Sequence, residues 1–164
     1  MKTGAIIAIA FVLAGSADAS DGDTVPRVST ALLSELNLWL DTETEYARRD
    51  DQPHIVFVGQ DQAERLRGAE GRTDGLTRGL YDASIETIYL TEPWSAENPR
   101  DVSVLLHEMA HHRQAAQHWY CEQAQEWRAY QIQAQWLADQ QIVNNFYWPA
   151  ILLQSSCAKR DIHP

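Results

Sequence analysis

Two histidines and a glutamate stand close together in the stretch LLHEMAHHRQ, where His107, Glu108 and His111 form the pattern His-Glu-x-x-His. On a helix, residues four positions apart lie on the same face, so both imidazoles can reach one metal ion. Zinc accepts such ligands and keeps one position open in catalytic sites. Glu108 is turned by about 100° from His107, so it can contact a water at that position without binding the ion. The pattern therefore predicts a catalytic zinc centre with Glu108 as the general base.

The alternative interpretation is a polar helix face that binds no metal. Apolar residues surround the histidines, at positions 104–106 before the motif and at Met109 and Ala110 within it. They predict a largely buried helix, and buried polar groups need partners. This favours the metal site.

A third protein ligand has to come from further along the chain. His118 lies seven residues beyond His111, about 10 Å along a helix axis, and no glycine turns the chain back between them. We therefore exclude His118. Glu122 and Glu126, one turn apart on the next predicted helix, remain as candidates.

The segment from Glu126 to Tyr130, EWRAY, resembles the Glu-x-x-Ala-Asp/Tyr segment that follows His-Glu-x-x-His in gluzincin metallopeptidases, especially the small minigluzincins. The resemblance covers about residues 85–133. It implies that Glu126 is the third zinc ligand. Glu122 stays as the fallback ligand, and its other interpretation is a solvated residue at the helix start. The resemblance also implies an enzyme, a zinc metallopeptidase that hydrolyses peptide bonds through a zinc-bound water.

The same resemblance suggests roles for two further features. The segment IETIYL, with Glu86, Ile88 and Leu90, is similar to the family's edge strand, which binds an extended peptide antiparallel. Tyr130 stands where many gluzincins carry an aspartate that holds a ligating histidine. Its hydroxyl could accept the histidine N–H or donate to a developing oxyanion, and packing between two helices is the alternative.

The rest of the chain predicts the elements that must position this site. The best-defined helix start is Asn98-Pro99, because asparagine caps helices well and proline fits the first turn. The apolar tail at residues 146–153 should pack on the core, and His112, off the ligand face, should lie on the surface. Periodicity and turn residues predict helices at 29–48, 61–67, 98–117 and 121–144, strands at 54–58 and 85–91, and a loop at 68–79.

These elements predict an α+β fold. We expect a small zincin-like domain with an N-terminal helix, a short β-sheet or hairpin, and two long helices carrying the metal ligands. Residues 20–164 have the length of a single domain.

The first 19 residues match a secretory signal peptide, with Lys2, an apolar run at 5–14 and Ala17-Asp18-Ala19 as the cleavage pattern. The apolar run is shorter than the roughly 20 residues that span a bilayer. The sequence therefore predicts an exported protein, periplasmic or extracellular, without a membrane span. In such an oxidising compartment the two cysteines, Cys121 and Cys157, are expected to form a disulfide rather than a thiolate zinc site, because neither lies in a Cys-x-x-Cys pair.

The net charge of −10 excludes some classes of partner. A strongly acidic chain is repelled by the phosphates of nucleic acids and by anionic membranes. The predicted partner is a peptide or protein substrate. The competing function is a secreted zinc-binding protein without peptidase activity, a metal-stabilised interaction module. Glu108 argues against it, because structural zinc sites usually take all four ligands from the protein.

Overall fold

The structure, a computed structural model, describes residues 27–68 and 76–157. The predicted signal peptide and most of the predicted loop at 68–79 lie outside these residues. The elements are α1 (Thr30–Glu43), β1 (His54–Val58), α2 (Gln60–Arg67), β2 (Gly79–Asp82), β3 (Thr87–Thr91), α3 (Pro99–Gln114), α4 (Ala124–Asp139) and α5 (Trp148–Gln154). Five helices with a three-stranded sheet in the described part of the chain confirm the predicted α+β class.

The sheet has the strand order β1-β3-β2, so β3 is the central strand. It pairs in parallel with β1 and antiparallel with β2. Ile88 and Leu90 are fully buried, and Glu86 lies in the preceding turn, where its carboxylate pairs with Arg49. The prediction that Glu86, Ile88 and Leu90 line a substrate-binding edge is therefore wrong, because β3 is hydrogen-bonded on both sides.

The edge strand on this side of the sheet is β2, for which the sequence predicted no element; only its first residue, Gly79, fell in the predicted loop. Gly79 begins it, and Tyr81 and Asp82 pair with the first residues of β3. The strand is short and contains a glycine, so it carries little of the alternation that marks a strand in a sequence. Its position against α3 makes it part of the candidate site described below.

Helix α3 begins where the sequence predicts. The Asn98 side chain accepts a hydrogen bond from the backbone N–H of Arg100, and Pro99 occupies the first helical position. The core lies between α3, α4, α1 and the sheet, and includes Leu105, Leu106 and Ile132. Helices α3 and α4 are shorter than predicted, ending at Gln114 and starting at Ala124.

A disulfide joins Cys121, just before α4, to Cys157, just after α5, as predicted. The two Cα atoms lie 5.8 Å apart across a sequence separation of 36. Closing a loop of this length stabilises the fold by about 4 kcal/mol in the chain-entropy model. Pro149 lies in the first turn of α5, where its missing N–H costs nothing. In the described residues, none of the helices has the length and apolar character that crossing a membrane requires.

A buried arginine ties α3 to α1 and to the segment that follows α1. Arg113 is 2% exposed. Its guanidinium donates to the carbonyl of Tyr46 at 3.1 Å and to the carbonyl and side-chain oxygens of Asn37, both at 2.9 Å. It also pairs with Asp41 at 2.8 Å. The planar guanidinium satisfies these acceptors together, which holds the end of α3 that carries the second histidine.

We predict that Arg113→Lys lowers the free energy of unfolding by about 1–3 kcal/mol. Lysine keeps the charge, but its single ammonium cannot reach all of these acceptors, so a buried carbonyl loses its partner. Arg48→Lys is the matched control, because Arg48 pairs with the same Asp41 but is 45% exposed. It should change stability by no more than about 0.5 kcal/mol. Urea unfolding of both variants measures the difference, and equal losses would contradict the prediction.

Candidate metal centre

The imidazoles of His107 and His111 and the carboxylate of Glu126 meet between α3 and α4. The Nε2 atoms of the two histidines lie 3.0 Å apart. One oxygen of Glu126 lies 3.4 Å from Nε2 of His107, and the other lies 3.4 Å from Nε2 of His111. Among the residues that the structure describes, this is the one group of such side chains whose ligand atoms converge enough to hold a metal ion.

Local structure explains why these three residues meet. His107 and His111 are four residues apart on α3, and Glu126 lies in the first turn of α4. The fully buried alanines Ala110 and Ala129 belong to the same core cluster, and small side chains let helices approach closely. The site is therefore built on two helices whose contact the core itself stabilises.

The spacing of the ligand atoms fits a small divalent metal ion. Histidine nitrogens and carboxylate oxygens bind such ions at about 2.0–2.2 Å, which places ligands about 3.3–3.6 Å apart in a tetrahedron. The histidine nitrogens lie 3.0 Å apart, and each lies 3.4 Å from a different oxygen of Glu126. With one ligand atom from each residue, the three atoms lie within 4.8 Å of one another, which is close to this spacing. Three protein ligands leave a fourth position for water or substrate, as in catalytic sites.

The electrostatics of the group favour a bound cation. Burial alone would raise the pKa of Glu126, but hydrogen bonds from His107 and His111 hold it well below its ordinary value. Burial alone would lower the pKa of His111, but the hydrogen bond and charge of Glu126 raise it. Glu126 thus stabilises a proton on His111, and a metal ion that binds here has to displace that proton, because a ligating imidazole is neutral. The carboxylate stays ionised at neutral pH, as a metal ligand requires.

Glu108 is buried beside this group but is not part of it. It is 5% exposed, and burial raises the pKa of its carboxyl, an effect that the neighbouring His107 and His111 oppose. A general base works best when its pKa lies near the operating pH, and burial is the usual way that proteins raise a glutamate. Glu108 is not among the converging ligand atoms, and its role as the base for a bound water stays a prediction.

Tyr130 contacts the first histidine through its ring. The ring centroids of Tyr130 and His107 lie 4.6 Å apart in an edge-to-face arrangement. Nδ1 of His107 has no hydrogen-bond partner among the described residues, so one of the alternatives for Tyr130, a bond from this histidine to its hydroxyl, is not present. Burial, together with the charges of Glu126 and Glu108, raises the pKa of Tyr130 to about 12. Its hydroxyl therefore stays protonated at neutral pH and can donate.

Two alternatives from the sequence analysis lie away from the centre. Glu122 is exposed and precedes α4, so it does not join the ligand group. His118, already excluded, is also exposed and lies between the helices. The structure thus brings together the three residues that the resemblance implied.

His112 corrects another expectation, because it is 5% exposed rather than a surface residue. Its Nδ1 lies 3.0 Å from the hydroxyl of Tyr81, and its Nε2 lies 2.9 Å from the carbonyl of Asp51. The sequence places it off the ligand face, but that other face of α3 packs against β2. Tyr81 is a residue that sequence reasoning missed, because β2 carried no strand signal.

The structure therefore defines a small α+β protein with a candidate metal centre of two histidines and a glutamate. The chain belongs to the family described as a domain of unknown function, DUF6647, whose model matches residues 25–164. No curated protein and no solved structure matches the chain. Since the family description assigns no activity, a function has to be argued from the site.

Proposed function

We propose that this protein is an exported zinc metallopeptidase of gluzincin type. The observation that carries the proposal is the meeting of His107, His111 and Glu126 beside a buried Glu108. Two imidazole nitrogens and one carboxylate are the ligand set of zinc peptidases, and zinc favours four-coordinate sites with these donors. A purely structural site would have no use for a buried carboxylate next to the ligands.

Each side chain of the site has a separate role in the proposed hydrolysis. Zinc, when bound, would lower the pKa of a coordinated water towards about 7 and polarise a substrate carbonyl. The Glu108 carboxylate accepts the proton of the attacking water and then donates it to the leaving amine. The protonated hydroxyl of Tyr130, beside His107, is a candidate donor to the oxygen that gains charge.

The edge of the sheet formed by β2 lies beside the candidate site and could bind a peptide substrate. The N–H of Thr91 donates to the carbonyl of Arg78 at 2.9 Å, which fixes the hydrogen-bond pattern of the β2–β3 pair. In an antiparallel pair this pattern alternates, so the N–H and C=O groups of Gly79 and Tyr81 point away from β3. Within the described residues, no strand pairs with that edge. An extended peptide could add there by β-augmentation.

Export rests on the predicted signal peptide and on the disulfide. A disulfide between Cys121 and Cys157 fits an oxidising compartment, since thiols are kept reduced in the cytosol. The prediction of cleavage after Ala19 is tested by the mass of the purified protein, which should begin at Ser20.

The experiment that tests the function measures zinc and hydrolysis in the same sample. We predict about one zinc ion per chain after exhaustive dialysis. The protein should hydrolyse members of a fluorogenic peptide library, lose this activity on treatment with a chelator and regain it when zinc is added.

Two results would contradict the proposal in different ways. If no zinc binds, even after zinc is added, the histidines belong to a polar helix face that binds no metal, and the proposal of a zinc site fails. If about one zinc binds but no peptide is hydrolysed, the protein is a zinc-binding module, the competing function.

A further inference from the structure

The first residue of β2 lies directly against the carboxylate of Glu108. A methyl group at Gly79 would lie 2.6 Å from Oε1 of Glu108, 3.0 Å from its Cγ and 2.7 Å from Cγ1 of Val104. Carbon atoms in contact prefer separations of about 3.5–4.0 Å. The carboxylate of Glu108 therefore occupies space that any side chain at position 79 would fill.

The neighbours of Gly79 leave little room for adjustment. Val104 is β-branched and held in one rotamer on its helix, so it cannot turn away easily. Glu108 is 5% exposed, and its Cγ as well as its oxygen approaches the glycine. The remaining way to accommodate a methyl group is for the Glu108 carboxylate to turn towards another position.

This close approach comes from the way α3 packs on β2. Val104, Glu108 and His112 follow each other at intervals of four residues, so they form one stripe along the helix. Gly79 contacts the first two, and Tyr81, two residues further along the same face of β2, contacts His112. One stripe of α3 thus packs on the strand, while His107 and His111 point to Glu126.

We infer that Gly79 is a positioning residue: the absence of a side chain at this position leaves the space in which the Glu108 carboxylate takes the orientation that proton transfer requires. The inference rests on the proposed peptidase function, in which Glu108 is the base. The three atoms nearest to a methyl group at position 79 belong to Glu108 and Val104, and none belongs to a metal ligand. The backbone N–H and C=O groups of Gly79 lie in the plane of the sheet, whereas a methyl group at position 79 would project out of that plane to Glu108, so the change leaves the hydrogen-bonding groups of the sheet edge in place.

The test is Gly79→Ala, compared with Gly59→Ala as the matched control. At Gly59 an added methyl has no atom within 4 Å, and its φ of −73° suits alanine. We expect Gly79→Ala to lower kcat by about 100-fold, because a displacement of about 1 Å in a catalytic group costs that much. KM and zinc content should match those of the unmodified protein. Crystal structures of both variants should show the Glu108 carboxylate displaced only in Gly79→Ala.

A kcat equal to that of Gly59→Ala, or an unmoved Glu108 carboxylate, would overturn the inference. A parallel loss of zinc would also overturn it, since the effect would then be on the whole site. If Gly79→Ala does not fold, Gly79→Ala with Val104→Ala removes the second clash and is judged by the same measurements. If the unmodified protein hydrolyses no peptide, the proposed function fails, and the position of Glu108 in the variant structure alone decides whether Gly79 holds it.

Discussion

Glu108→Gln should leave zinc bound and lower kcat by about 10²–10⁴-fold, the range that general-base catalysis contributes. The glutamine amide has nearly the same shape as the carboxylate, so it fills the same space beside Gly79. It has no negative charge and cannot accept a proton at neutral pH. The measurements are kcat on the best peptide from the library and the zinc content of the same sample.

The control for this variant is Glu97→Gln, the same chemical change at an exposed residue just before α3. It should keep both kcat and zinc content. Turnover close to normal in Glu108→Gln would remove Glu108 as the base. Loss of zinc would instead mean that Glu108 binds the ion, contrary to its position outside the ligand group.

The parts of the site that the sequence predicts correctly depend on local spacing. His107 and His111 face the same way because of the helical repeat, and the helix begins where Asn98 and Pro99 indicate. The cysteine pair was predictable for a similar reason, since two cysteines in an oxidising compartment have one intramolecular way to pair. Glu126 needed the family resemblance, because spacing alone left Glu122 as an equal candidate.

The parts that sequence reasoning missed depend on contacts between distant segments. A strand such as β3 has the same apolar pattern whether it lies at the edge or in the centre, so its place between β1 and β2 could not be read from Ile88 and Leu90. The short strand β2 begins with Gly79, so its sequence lacks the alternation of apolar and polar residues that identifies a strand. His112 was expected on the surface because it is polar and off the ligand face, but Tyr81 and Asp51 supply partners for both nitrogens.

Glu126→Ala should weaken zinc binding by at least about 100-fold, because even the loss of a partner outside the ligand set costs about 10–100-fold. The change removes both carboxylate oxygens that lie 3.4 Å from the histidine nitrogens. It also leaves two neutral imidazoles with no negative charge to balance the ion. Competition with a chelator of known zinc affinity measures the loss.

Glu122→Ala is the matched control, because it removes the same side chain from an exposed position four residues earlier, before α4 begins. It should bind zinc as tightly as the unmodified protein. If both variants lost zinc equally, the effect would lie in the charge of this region rather than in a ligand. If only Glu122→Ala lost zinc, Glu122 would be the third ligand, although it lies outside the group in the structure. The segment before α4 would then have to rearrange when zinc binds. A loss confined to Glu126→Ala would make α4 the helix that completes the site. The pairing of α3 with α4 would then be the part of the fold on which zinc binding depends.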